Sequence, residues 1–212
     1  MYTIQDKVSY VISYFSKQKI IKTELIYHNP YELLIAIILS AQCLDARVNI
    51  VTKTLFQKYK SFHELSNANV DDVYYIIKTI SYPQVKAHNI IQVSSIIHNN
   101  YNDIIPNSLQ KLIEIKGIGR KTGILTLSIL YNYKGIAVDT HVARVSQRLG
   151  LVPKTNNIYK IELTLSHIFP IDIHNKLNPW LVIFGRYTCK SKKPMCEKCQ
   201  LKHICCYDKN IP

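Results

Sequence analysis

Ile115-Lys116-Gly117-Ile118-Gly119-Arg120-Lys121-Thr122-Gly123 is the stretch on which the fold turns. Glycine is scarce, six residues in 212, yet three fall within these nine positions. Gly-Ile-Gly supplies backbone conformations closed to other residues and lets amides approach a phosphate closely. Helical segments flank it, Ser108 to Leu112 before and Lys121 to Leu130 after. A helix, a tight turn and a second helix opening beside Arg120 and Lys121 form a helix-hairpin-helix over about residues 108–130. Such a motif holds a nucleic-acid backbone through turn amides and a helix N-terminus without reading bases. A purely structural turn is the bland alternative. The net charge of +13, from 27 Lys and Arg against 14 Asp and Glu, favours the phosphate-binding reading.

Outward from the hairpin, helical periodicity dominates. Val8, Val11, Ile12 and Phe15 share a face, as do Val48, Val51 and Leu55, then Ile90, Val93 and Ile97, then Leu177, Trp180, Leu181 and Phe184. No sustained strand alternation competes, so the spacing predicts about ten short helices and an all-α chain. Leu33 to Leu39 is apolar on every side, which predicts a helix surrounded by others. This run of seven is far short of the roughly 20 residues a membrane span needs. After it, Ser40-Ala41-Gln42-Cys43-Leu44-Asp45 is a polar turn with Asp45 as the expected N-cap, or a platform that displays Gln42.

Lys121 has two readings. It can add a phosphate contact, or it can serve as a nucleophile, because the helix N-terminus and Arg120 disfavour its ammonium form and partial burial would push in the same direction. Eighteen residues later Asp139 ends the apolar stretch Ala137-Val138 and precedes Thr140-His141-Val142. Asp139 or Thr140 is placed to cap a helix, and the carboxylate can also face Lys121 across a cleft and assist acid–base chemistry.

The C-terminal quarter carries Cys189, Cys196, Cys199 and Cys205 at C-x6-C-x2-C-x5-C, with Cys206 directly after. Four thiolates suit zinc or an iron-sulfur cluster. Only Cys196 and Cys199 make a close knuckle, and that spread favours a cluster over a zinc ribbon. Disulfides are disfavoured because the N-terminus shows no secretory signal and a reducing cytosol is the default. Cys43, alone in an apolar stretch, reads as a buried free thiol. Arg186, Lys190, Lys192, Lys193, Lys198 and Lys202 make the cysteine segment basic against Glu197 alone.

Together these features resemble the endonuclease III family of DNA glycosylases, within the helix-hairpin-helix superfamily. The likeness runs from Tyr31-Glu32-Leu33-Leu34 and Leu39-Ser40-Ala41-Gln42 through Gly117 to Thr122 and Val138-Asp139-Thr140-His141 to Gly185-Arg186-Tyr187-Thr188-Cys189 and the remaining cysteines. It implies an all-α, two-lobed fold with a C-terminal 4Fe-4S cluster loop. Residues 24–134 would form a six-helix barrel containing the hairpin, and residues 1–23 with 135–212 a second lobe with the cluster loop at 189–205. Cys205 rather than Cys206 is the fourth ligand by the family spacing.

The implied activity is a bifunctional DNA glycosylase/AP lyase, acting on duplex DNA with oxidised pyrimidines or abasic sites. Lys121 would attack the sugar to form a Schiff base, with Asp139 activating it and steadying the cationic transition state, and β-elimination would nick the strand. DNA contacts fall to Gln42, Tyr82, Gly117, Gly119, Arg120, Thr122, His141, Lys192 and Lys193. The chain is expected to act as a monomer in the cytoplasm of a prokaryote, at the nucleoid and with no membrane partner. The hairpin departs from the family in reading Ile115-Lys116-Gly117 for Leu-Pro-Gly and Gly123 for alanine. Ser81-Tyr82-Pro83-Gln84 stands where relatives carry a glycine, a large apolar wedge and an aromatic. A thymine-mismatch glycosylase, a monofunctional adenine glycosylase and a non-catalytic DNA-binding metal module are the competing readings.

Overall fold

The protein is described by a computed structural model covering residues 2–18 and 23–207. Residues 1, 19–22 and 208–212 lie outside the described residues. Among the described residues there are eleven α-helices, three 3-10 turns and no strand, so the fold is all-α, as the periodicity predicts. The chain divides into two compact units, Thr23–Tyr133 and Met1–Lys22 with Lys134–Pro212.

The Thr23–Tyr133 unit holds α2 (Pro30–Ser40), α3 (Asp45–Lys58), α4 (Phe62–Ser66), α5 (Val70–Ile77), α6 (Pro83–Tyr101), α7 (Leu109–Glu114) and α8 (Arg120–Tyr131). α2 starts with Asn29 accepting from the Glu32 amide and with Pro30 in the first turn, where its missing N–H costs nothing. Residues 33 to 39 of this helix are at most 5% exposed, which places it at the centre of the unit, packed against α3, α6 and α8. Val48, Val51 and Leu55 of α3 and Ile90, Val93 and Ile97 of α6 join the same core. Asp45 is not the N-cap expected of it. Leu44 occupies that position, and Asp45 is the first helical residue, where its charge still complements the amide end of the helix.

The other unit holds α1 (Ile4–Ser16), α9 (Thr140–Arg148), α10 (Ile158–Ile168) and α11 (His174–Tyr187), followed by the cysteine segment. Thr3 and Asp6 close a reciprocal capping box at the start of α1, and the Thr3 contacts hold the Asp6 carboxyl below its ordinary range. Val8, Val11 and Phe15 pack with Val142, Val145, Leu177, Trp180, Leu181 and Phe184 in one core, with Phe15 stacked on Trp180 at 5.5 Å. Leu201 and Ile204 come from the cysteine segment to the same core, so that segment is anchored by apolar burial as well as by its thiols.

Candidate active site and cysteine centre

The hairpin turn closes through the Ile118 amide donating to the Ile115 carbonyl at 2.9 Å. Gly117 sits at φ +102°, and a Cβ there would stand 3.1 Å from Cγ2 of Val93, so both backbone and space require glycine. The expectation that Gly119 meets a similar conformational demand is corrected. Its φ of −81° is ordinary extended backbone, and an added Cβ would meet nothing within 4 Å. As the N-cap of α8 it instead brings no side chain over the first-turn amides, and such amides suit an anion.

Arg120 and Lys121 follow at once and are exposed, while Thr122 is half-buried. The partial burial that would have added to the nucleophile reading of Lys121 is not found. Gly123, Ile124, Thr126 and Leu127 set the inward face of α8, and position 121 lies off that face.

Asp139 is the N-cap of α9. Its Oδ1 accepts from the amides of both His141 and Val142 at 2.9 Å, and the residue is half-buried. The capping alternative weighed from sequence is therefore Asp139, not Thr140. The carboxylate is fixed to within one rotamer by the helix it starts. His141 is held in turn by Arg144, whose Nη2 lies 3.1 Å from His141 Nδ1.

Arg144 also donates to the carbonyls of Gly185 at 3.0 Å and Cys189 at 3.2 Å, tying α9 to α11 and to the cysteine segment. Burial lowers its pKa, with Cys189 acting in the opposite sense. Gly185 makes this possible: a Cβ there would come within 3.0 Å of His141 Cβ and 3.1 Å of Arg144 Nη2.

Arg148, one turn further along α9, organises the cysteines. It donates to the carbonyls of Lys190 at 2.7 Å and Ser191 at 3.1 Å, and its guanidinium lies 4.0 Å from the Tyr207 ring centre. Its own carbonyl accepts from the Cys206 amide at 2.8 Å and the Cys205 thiol at 3.1 Å. Neither arginine was singled out from sequence. The available signal was two arginines one turn apart on a helix whose apolar residues face inward.

Cys189, Cys196, Cys199 and Cys205 line one cavity of about 380 Å³, with Arg148, Met195 and Lys202 among its other walls. Cys206 does not line it. Its Sγ lies 2.9 Å from Nζ of the buried Lys7, which also donates to the Leu149 carbonyl. Among the described residues no three His, Cys, Asp or Glu side chains converge as the ligands of a single ion would. The four thiols surround a volume, a donor set that fits a thiolate-held cluster. Burial raises the pKa of Cys199 and of Cys205, so ligation there has to displace protons. Lys192 and Lys193 are exposed in the same segment, and Lys202 pairs with Glu197 at 3.0 Å.

In the Thr23–Tyr133 unit, Gln42 and Tyr82 are both exposed and both left-handed, at φ 54° and φ 55°. This conformation costs a non-glycine residue roughly 1 kcal/mol or more. Three side chains hold the two loops. Ser81 Oγ donates to the Gln42 carbonyl at 2.8 Å, Arg47 to the Thr79 carbonyl at 3.2 Å, and Lys86 Nζ to the carbonyls of Leu39 at 2.8 Å and Ala41 at 2.6 Å. Lys86 is 6% exposed, and burial pulls its pKa down, with Cys43 partly opposing. Cys43 itself is partly buried against this core.

Residues 35–170 match the family model for HhH-GPD superfamily base excision DNA repair proteins. Endonuclease III of Bacillus subtilis strain 168 is 40% identical over 86% of this chain and 83% of its own length. Endonuclease III of Escherichia coli K12 is 35% identical over 89% of each. A solved structure of a trapped endonuclease III–DNA covalent intermediate superimposes with a TM-score of 0.89 at 36% identity, covering 97% of this chain and 96% of that one. The chain belongs to the HhH-GPD superfamily and, within it, to the endonuclease III family.

Proposed function

We propose that this chain is a bifunctional DNA glycosylase and AP lyase of base excision repair, acting on duplex DNA that carries oxidised pyrimidines or abasic sites. The observation that carries the reading is Lys121, an exposed amine in the first turn of α8, two residues after an N-cap without a side chain. A phosphate held on that helix end would bring the neighbouring deoxyribose to the amine. The chain's +13 charge supplies non-specific attraction to the duplex.

In this reading Lys121 Nζ bonds to C1′ of the extruded nucleotide as the base departs with the glycosidic electron pair. Asp139, positioned by the amides of α9, takes up a proton and balances positive charge on the sugar. Ring opening gives an iminium. Loss of a C2′ proton then expels the 3′ phosphate and nicks the strand. Gln42 and Tyr82 contact the bases left in the stack, and Gly117, Gly119, Arg120, Thr122, His141, Lys192 and Lys193 contact the backbone.

Cys189, Cys196, Cys199 and Cys205 are the residues that would hold a 4Fe-4S cluster. Bound there, the cluster would fold the basic segment by tying four thiolates together and would supply no step of base release. The relatives named above are bacterial, and a DNA substrate would keep a monomer of this chain at the nucleoid.

The test is a panel of duplexes carrying thymine glycol, a G·T mismatch, an abasic site or no lesion, with base release and nicking scored separately. Release and nicking on thymine glycol, nicking at the abasic site and neither on the mismatch are expected. Release of mismatched thymine without nicking would replace this reading with a thymine glycosylase. Binding with no reaction on any duplex would leave a non-catalytic module.

A further inference from the structure

We infer that Ser81 and Lys86 are positioning residues that brace the Gln42 and Tyr82 loops into one rigid two-pronged tool, which sets how the base opposite the lesion is handled. The inference rests on the glycosylase reading above and assigns its opposite-base contact to a brace.

Two side chains on strained backbones are exposed next to each other in one unit, and strain of this kind persists only where surrounding contacts over-determine it. The contacts here are specific. Lys86, on the first turn of α6, is buried. It spends its charge on two carbonyls at the C-terminal end of α2, where partial negative charge gathers. That fixes the point at which the chain leaves α2 for Gln42.

Ser81 closes the other side by holding the Gln42 carbonyl itself, one residue before Tyr82. Pro83 fixes the backbone immediately after Tyr82 as the first residue of α6. The Ser81 hydrogen bond therefore couples the two prongs. Around them Leu44, Tyr82 and Val85 are each at least 60% exposed, an apolar rim suited to unstacked bases rather than to water.

Ser81→Ala removes only the hydroxyl of the brace, and Ser81→Thr returns it. The assay is single-turnover base release from thymine-glycol duplexes with each of the four bases opposite the lesion. Alongside it, 2-aminopurine fluorescence opposite the lesion is read in a Lys121→Gln background, where no chemistry intervenes. Ser81→Ala should lower base release roughly tenfold and flatten the preference among opposite bases. It should also remove the fluorescence rise on binding, with the thermal midpoint and affinity for undamaged duplex unchanged. Ser81→Thr should restore both readouts.

Wild-type rates, opposite-base preference and fluorescence in Ser81→Ala overturn the brace while leaving the glycosylase reading intact. A fall in thermal midpoint that tracks the fall in rate, unrepaired by threonine, also overturns it in favour of plain destabilisation. Wild-type protein that releases no base from any of these duplexes overturns the parent reading and this inference with it.

Discussion

Asp139 carries two jobs on one carboxylate, and a single substitution separates them. As an N-cap it accepts two amide hydrogen bonds through Oδ1, a task asparagine performs about as well. As the proposed partner of a cationic transition state it needs its charge. Asp139→Asn should therefore leave unfolding free energy within about 0.5 kcal/mol of wild type while base release falls by roughly 10²-fold or more. Thermal unfolding and single-turnover kinetics on the same preparation read the two. A matched loss of stability and rate would reduce Asp139 to a cap. Asp139 could be singled out from sequence because an isolated carboxylate between an apolar run and an amphipathic one stands out. Arg144 and Arg148 stood out far less, since their work depends on carbonyls 41 to 45 residues away in the chain.

At the scale of elements, the hairpin makes a paired prediction. Gly117→Ala must place a side chain at φ +102° beside Val93 and should cost about 1–2 kcal/mol or more. Gly119→Ala meets open space and should cost only the smaller difference between glycine and alanine as an N-cap, under about 1 kcal/mol, yet bind duplex DNA more weakly, because a methyl group intrudes beside the first-turn amides of α8. Denaturant unfolding and DNA titration of both variants check this. Equal destabilisation by the two would contradict the assignment of conformational demand to Gly117 alone.

The cysteine segment offers a second pair. Cys205→Ser should lose the brown iron-sulfur colour and bound iron, whereas Cys206→Ser should keep both, since only Cys205 faces the cavity and Cys206 is turned to Lys7. Iron analysis and visible absorption decide it, and the reverse pattern would move the fourth ligand to Cys206. The helices themselves were legible because periodicity reports burial directly: Leu33 to Leu39 reads as apolar all round and is buried all round. The boundary at Leu44 and Asp45 was not, because Asp is favoured both as a cap and in the first turn, and only backbone geometry separates the two.

For the whole molecule, the excess of 27 basic over 14 acidic side chains predicts steep salt dependence. Phosphate contacts release counterions, so affinity for undamaged duplex should fall at least roughly tenfold between about 50 and 200 mM salt, and fluorescence anisotropy across that range would measure it. A flat response would remove the electrostatic argument. Composition disclosed this property because net charge is additive. The exposure of Lys121 was hidden, because it depends on which face of α8 turns inward.

The central claim is that Lys121 is the nucleophile, and borohydride trapping tests it most directly. Wild-type protein incubated with a thymine-glycol duplex and borohydride should form a covalent protein–DNA adduct that maps to Lys121. Lys121→Gln should form none while binding the duplex as tightly as wild type. No wild-type adduct despite intact binding, or an undiminished adduct in Lys121→Gln, would contradict the account.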